Sequence, residues 1–282
     1  MSMSIDEIIA QALAEDLGDG DHTSLATIPQ AATGRAELLI KEDGVIAGIN
    51  IAKKVFAQID PNLKFVGLMD DGQQVRKGDV AFTVAGKSIS ILSGERLALN
   101  FLQRMSGIAT ATRSMVKQLE GLNVKLLDTR KTTPLLRELE KMAVRAGGGH
   151  NHRKGLFDMI LIKDNHVDFA GGIKQAIDAT QEYLQKNSLS LKIEIEVRDF
   201  NELADVLACG DVDRIMLDNF TVDGIKTAVK KIDGRYETEA SGGITINNIR
   251  QYGETGVDFI SSGALTHHIK SLDMSLKAVH NF

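Results

Sequence analysis

The chain of 282 residues has no tryptophan, three prolines and one cysteine. A single thiol, Cys209, excludes an internal disulfide framework and fits a reducing compartment. No catalytic-thiol motif surrounds it, and Gly210 beside it reads as the end of a helix on which Cys209 packs. Cations are also in deficit: 33 lysines and arginines against 38 acids give a net charge of -5, which excludes a general basic coat for nucleic acid. No apolar run approaches the roughly 20 residues of a membrane span. The acidic start MSMSIDEIIAQALAEDLGDGD lacks the basic and apolar regions of a signal peptide. The expectation is a soluble cytoplasmic protein with neither nucleic-acid nor membrane partners.

Two grammars divide the chain. Residues 1–106 read as an α+β sandwich domain, with a helix over 4–16 and strands such as 34–40 and 80–85 set between glycine turns. SGERLALNFLQRMSGIATATRSMVKQL then carries apolar residues at helical spacing, as one or two helices. From residue 107 to 267 short β-like segments (124–127, 159–162, 193–197, 214–217, 236–239, 259–261) alternate with helical ones, which implies a parallel sheet. Six such strands predict an incomplete, six- or seven-stranded α/β barrel. A doubly wound sheet is the alternative, but no GxGxxG follows the first strand. A helix over 134–146 is expected, capped by Thr132 or Thr133, with Pro134 at its first position and Gly147–Gly149 ending it. A C-terminal helix over 268–282 is expected to pack back on the N-terminal domain.

The polar residues fall at strand ends, where α/β barrels place their working groups. The first strand ends in Thr129, Arg130 and Lys131, and the second in Lys163, Asp164, Asn165 and His166. The third carries Glu194 and Glu196 on one alternating face, pointing either to the lumen, where they need cationic or metal partners, or to solvent from an edge strand. The fourth ends in Asp218 and Asn219, the fifth in Ser241, Gly242 and Gly243, and the sixth in Ser261, Ser262 and Gly263. Residues 126–166 add His152 and Arg153 beside a glycine cluster, so the cations gather round one pocket. SGGI and SSGA suit a phosphate held by backbone amides. Glu196 and Asp218 offer hard oxygens for Mg²⁺ or sugar hydroxyls. His150, His152 and His166 have histidine spacing for a metal but lack neighbouring thiolate or carboxylate ligands in sequence. Together these features suit a phosphorylated sugar and a second, carboxylate-bearing ligand.

The motifs DTRKTTP, AVRAGGGHNHR, LIKDNH, IEIEV, IMLDN, SGGI and SSGALTH, in this order, resemble the quinolinate phosphoribosyltransferase family. ALAEDLGDGD and GERLALNFLQRMSGIAT extend the resemblance to nearly the whole chain. It implies a pentosyltransferase of NAD biosynthesis. The enzyme would join quinolinate to phosphoribosyl pyrophosphate and release pyrophosphate and CO₂. The resemblance further implies that Thr129, Arg130, His152, Arg153 and Lys163 bind quinolinate. Arg96 would be donated across a homodimer, or a higher oligomer of dimers. Lys131, Asp164, Glu196, Asp218, Ser241, Gly242, Gly243, Ser262, Gly263 and Ala264 would bind phosphoribosyl pyrophosphate, with Glu196 and Asp218 also holding Mg²⁺. Lys131, Lys163, Glu196 and Asp218 are the expected catalytic set. His22, and Leu135 and Leu136 after the TRKTTP proline, depart from the family pattern. Three rivals differ in chemistry: a paralogue associated with molybdenum transport, a Schiff-base aldolase acting through Lys163, and a non-catalytic sugar-phosphate binding module.

Overall fold

The computed structural model describes residues 3–279. The chain forms two compact units. The first comprises the described parts of Met1–Arg113, Thr132–Gly148 and Leu265–Phe282; the second comprises Ser114–Lys131 and Gly149–Ala264.

In the first unit, helix Ile5–Leu17 opens with a reciprocal cap. The Ser4 hydroxyl accepts the Glu7 amide, and the Glu7 carboxylate accepts the Ser4 amide. Strands β1 (Thr33–Ile40), β2 (Gly44–Val45), β3 (Lys64–Gly67), β4 (Gln74–Val75) and β5 (Val80–Lys87) follow. A four-stranded antiparallel sheet runs β3-β5-β1 and then a C-terminal strand, Met274–Val279. The helix expected over 268–282 is therefore corrected to a strand within the described residues. Met274, Leu276 and Ala278 alternate with more polar neighbours there, a period of two rather than of 3.6. Phe56, Phe65 and Phe82 form the aromatic centre, with ring centroids 4.5 to 6.2 Å apart. Helix Ser88–Gln118 is continuous for 31 residues, and its last turns, from Ser114, belong to the second unit.

The segment Thr132–Gly148, read from sequence as part of the barrel, groups with the first unit. Two arginines of the long helix hold it. Arg104 pairs at 2.6 Å with Glu140, which is 1% exposed, and donates to the Thr133 hydroxyl. Arg113 donates to the Gly147 carbonyl at 2.8 Å. The expected cap of its helix is also corrected. The helix is Arg137–Ala146, and neither threonine caps it. Thr132 accepts from Arg137 and Thr133 from Arg104, so both hydroxyls are spent elsewhere. Leu135 sits in the left-handed region at φ 66, which breaks the helical run before Arg137.

The second unit holds strands β6 (Lys125–Leu127), β7 (Ile160–Ile162), β8 (Ile193–Val197), β9 (Arg214–Asp218), β10 (Glu237–Ser241) and β11 (Phe259–Ser261), alternating with helices. The strand order is β6-β11-β10-β9-β8-β7, with every neighbouring pair parallel. Read as a circle, this order is consecutive in sequence with a single break between β6 and β7. A doubly wound sheet would instead reverse direction at an internal switch point. The architecture is an incomplete α/β barrel, and the strands coincide within two residues with those legible in the sequence. Beyond β6, Leu127 makes one further parallel bridge, to His150.

Candidate active site

The end of β6 is pinned to the 149–153 segment. Amides and carbonyls cross between them, from His150 to Leu126 at 2.8 Å and from Asp128 to His150 at 3.0 Å. Asp128 is fully buried, and its carboxylate accepts the His152 amide at 2.8 Å. These bonds bring the Arg130 side of the strand end next to Arg153. The Arg153 guanidinium is held below its ordinary pKa by burial and by the Arg130 cation. Arg153 also donates to the Met159 carbonyl at 3.2 Å, and the Thr129 hydroxyl accepts the Lys131 amide at 3.0 Å. Arg130 and Lys131 are exposed. Two guanidiniums that repel each other form a region built for an anion.

Lys163 follows β7 and pairs with Glu196 of β8. Glu196 is 7% exposed at its side chain and Lys163 is 43% exposed, so the pair faces solvent through the lysine. His166 fixes the backbone here, since its Nδ1 accepts the Lys163 amide at 2.9 Å. All five residues of β8 are buried between β7 and β9, so Glu194 and Glu196 do not belong to a half-exposed edge. Asp164 is half-buried, and its carboxylate accepts the Asn165 amide at 2.6 Å.

At the next strand ends, Asp218 accepts from the Asn219 carboxamide, and the Asn219 amide donates to the Ser241 carbonyl at 2.9 Å. Gly242 has φ +99, and a Cβ there would lie 2.7 Å from the Asn219 nitrogen. Glycine is required by both conformation and space. Gly243, also at positive φ (+59), has open space where a Cβ would point. Ser262 is less available than its motif suggests. Its amide donates to Leu127 and its hydroxyl to Ile244, so both groups are structural. Gly263 and Ala264 are half-buried behind it.

Beneath these ends lies a charged cluster that the sequence reading missed in part. His152 Nε2 is 2.9 Å from Glu194 and 3.5 Å from Glu239. Arg214 is 3.1 Å from Glu239, 4.0 Å from Glu194 and 3.1 Å from Glu237, with its guanidinium 3.8 Å above the Phe259 ring. Both Glu194 and Glu239 are 0% exposed. Burial opposes charge on His152, but bonding and attraction from Glu194 and Glu239 outweigh it and raise the pKa to about 9. Burial and the Glu239 charge push Glu194 up to about 7. Burial also opposes charge on Glu239, yet His152, Ser261 and Arg214 hold it below its ordinary value. The Arg153 amide donates to His152 Nδ1 at 2.7 Å, which requires a lone pair there. The ring proton therefore sits on Nε2, and the extra proton belongs to the His152–Glu194 pair as a unit. Among the described residues, His152 groups with Glu194 and Glu239 rather than with His150 or His166. The signal for Glu239 and Arg214 was the alternation in ETEAS and RIMLD. In register, Arg214 lies beside both Glu194 and Glu237 on one row.

The C-terminal domain model of quinolinate phosphoribosyl transferase matches residues 108–277, and the N-terminal domain model matches residues 21–106. The chain belongs to the quinolinate phosphoribosyltransferase family. It is 47% identical to quinolinate phosphoribosyltransferase [decarboxylating] 1 of Nicotiana glauca, over 96% of this chain and 81% of that relative. A probable nicotinate-nucleotide pyrophosphorylase [carboxylating] of Bacillus subtilis is 41% identical, over 97% of this chain and 93% of its own length. The structure of the nicotinate-nucleotide pyrophosphorylase from Francisella tularensis superposes with a TM-score of 0.91 at 40% identity, covering 98% and 96% of the two chains. Family membership carries the N-terminal half as well. There, Arg96 is exposed on helix Ser88–Gln118, sharing a face with exposed Leu92 and Asn100.

Proposed function

We propose that the protein transfers phosphoribosyl from phosphoribosyl pyrophosphate to quinolinate and decarboxylates the product to nicotinate mononucleotide. The observation that carries this reading is the bonding of the β6 end to residues 149–153, which draws Arg130 and Arg153 together at the same end of the parallel sheet as Lys163. Two guanidinium forks and an ammonium suit the two planar carboxylates of quinolinate. Thr129 lies beside them, and Lys131 stands at the seam with the sugar-phosphate half. Glu196, Asp164 and Asp218, on adjoining strand ends, suit the ribose. The glycine turn at Ser241–Gly243, with Gly263 and Ala264, suits the 5′-phosphate.

The pyridine nitrogen supplies its own lone pair, so no general base is needed. Its bond to C1 forms as the C1–O bond to pyrophosphate breaks. Lys131 stabilises charge on the leaving group, and the carboxylates of Glu196 and Asp218 stabilise positive charge on the sugar. The ring nitrogen is then cationic. Loss of the 2-carboxylate as CO₂ leaves its electron pair next to that cation, and a solvent proton completes the C–H bond. Arg130, Arg153 and Lys163 orient the acceptor and strip its water. The Lys163–Glu196 pair links the acceptor and ribose halves. Two hard carboxylates also fit Mg²⁺, and Glu196 and Asp218 would hold it with substrate oxygens and water completing the shell. When bound, Mg²⁺ supplies charge neutralisation for the pyrophosphate.

Arg96, exposed on its helix, would complete the acceptor pocket of a second copy in a homodimer. The family-model bounds support a domain division near residues 106 and 107. The single cysteine supports a cytoplasmic location, and no helix among the described residues is long and apolar enough to cross a membrane.

Incubation with quinolinate, phosphoribosyl pyrophosphate and Mg²⁺ tests the reading. Equimolar CO₂ and nicotinate mononucleotide are expected. Conversion of nicotinate without CO₂ release would overturn the carboxylating assignment. For Arg96, mixed Arg96→Ala and Lys131→Ala subunits should partly rescue each other. No rescue despite measured subunit exchange would place Arg96 within its own chain.

A further inference from the structure

Two buried glutamates and a half-buried arginine beneath the strand ends carry a large desolvation cost, and the arrangement shows what they hold. Both ring nitrogens of His152 are turned inward. Nε2 lies 2.9 Å from Glu194 and 3.5 Å from Glu239, and Nδ1 accepts the Arg153 amide at 2.7 Å. Its own amide donates to Asp128 at 2.8 Å, and the side chain is 6% exposed. Nε2 is buried against the Glu194 and Glu239 carboxylates, so its N–H is out of reach of an acceptor in the pocket.

We propose that His152 is a positioning residue and not a ligand of the acceptor. Glu194, Glu239 and Arg214 hold its ring, and the ring holds the backbone of Arg153, whose guanidinium meets the acceptor carboxylate. This rests on the reading that the cationic pocket binds quinolinate. The geometry supports each link. Arg214 bridges the carboxylates, at 3.1 and 4.0 Å, so the pair of acids carries its own cation, and the His152 ring carries their hold on to the Arg153 backbone. Arg153 is then fixed twice, by its amide on His152 Nδ1 and by its guanidinium on the Met159 carbonyl at 3.2 Å. Displacing the main chain at 153 would swing the guanidinium, and misplacement of about 1 Å costs on the order of a hundredfold in a positioned site.

Glu194 gives a clean probe, since at 0% exposure it cannot touch a substrate. Steady-state kinetics should show Glu194→Gln raising the KM for quinolinate about tenfold while the KM for phosphoribosyl pyrophosphate stays within about twofold. His152→Asn should do the same, and the double variant should be no worse than the poorer single, because all three break one chain of contacts. A crystal structure of the unaltered protein with quinolinate is the second measurement and depends on no variant folding. It should place both ring nitrogens of His152 on Glu194 and the Arg153 amide, with no acceptor oxygen within about 3.5 Å. The proposal is overturned by a ring nitrogen bonded to the acceptor carboxylate. A folded Glu194→Gln protein with unchanged KM beside an impaired His152→Asn would overturn it equally. If unaltered protein turns over nicotinate but not quinolinate, the functional reading fails first and this inference falls with it.

Discussion

Removing the Arg214 side chain, as in Arg214→Met, should cost more stability than any other single change at the strand ends. The guanidinium pairs with Glu239 and Glu237 at 3.1 Å and stacks on Phe259 at 3.8 Å, and its side chain is 13% exposed. Its loss leaves Glu194 and Glu239, both 0% exposed, beside the His152 ring and without their close guanidinium. Breaking a buried pair by removing one partner costs about 3–5 kcal/mol. Loss of the stacked cation adds roughly 1 kcal/mol. For a chain of this size the sum corresponds to a fall in Tm of roughly 10 °C or more. The double variant Arg214→Met with Glu239→Leu removes both charges together and should recover most of the loss, to within about 2 kcal/mol of the unaltered protein. Urea unfolding followed by circular dichroism measures all three proteins. The reasoning is refuted if the single variant lies within about 1 kcal/mol of the parent, or if the double variant is no more stable than the single.

Other expectations follow from the same contacts. The His152–Glu194 pair has its pKa values raised, His152 from 6.5 to about 9 and Glu194 from 4.5 to about 7, so its stabilisation is present at low pH and lost as pH rises. Glu239, shifted the other way, acts only on the acid side, while Arg214 stays charged throughout. Between pH 6.5 and 9 the parent should therefore lose on the order of 2–3 kcal/mol that the double variant His152→Gln with Glu194→Gln, which lacks both titrating groups, does not lose, and parallel curves for the two proteins would contradict this. Gly242→Ala would drive a Cβ to 2.7 Å from the Asn219 nitrogen at φ +99, costing about 2 kcal/mol and raising the KM for phosphoribosyl pyrophosphate at least about tenfold. Unchanged kinetics would remove that turn from the site. Leu135 is 71% exposed at φ 66, so Leu135→Gly should stabilise by up to about 1 kcal/mol, and a loss of stability would show that the leucine packs usefully.

The barrel strands were legible because each is a short apolar run bounded by turn residues, and tertiary packing agreed with the local pattern. The strand-end residues were legible for the same reason. Glu239 and Arg214 were not. Glu239 lies inside its strand and Arg214 at the start of its own, away from the ends where the working groups gather, and their significance depends on register with β8, which pairing sets and no local window contains. The C-terminal strand Met274–Val279 escaped because its partner, β1, lies more than two hundred residues earlier. The helix cap at Thr132 or Thr133 failed because both hydroxyls serve arginines, one of them Arg104 on another element. His152 shows the finer limit: motif order places it at the pocket, but only coordinates reveal which way its nitrogens face.

The break between β6 and β7 has a mechanical consequence. Everywhere else the circle is stitched by ladder bonds, which fix the spacing of neighbouring strands near 4.8 Å. Arg130 follows one lip of the unstitched seam and Lys163 follows the other. The distance between these two cations is therefore set not by a β6–β7 ladder but by the 149–153 segment, bonded to β6 at one side and through Arg153 to Met159 at the other, while the Asp218 and Gly242 ends, on adjacent bonded strands, are held to a fixed gauge. One half of the molecule's working face is gauged by a loop and the other by a ladder.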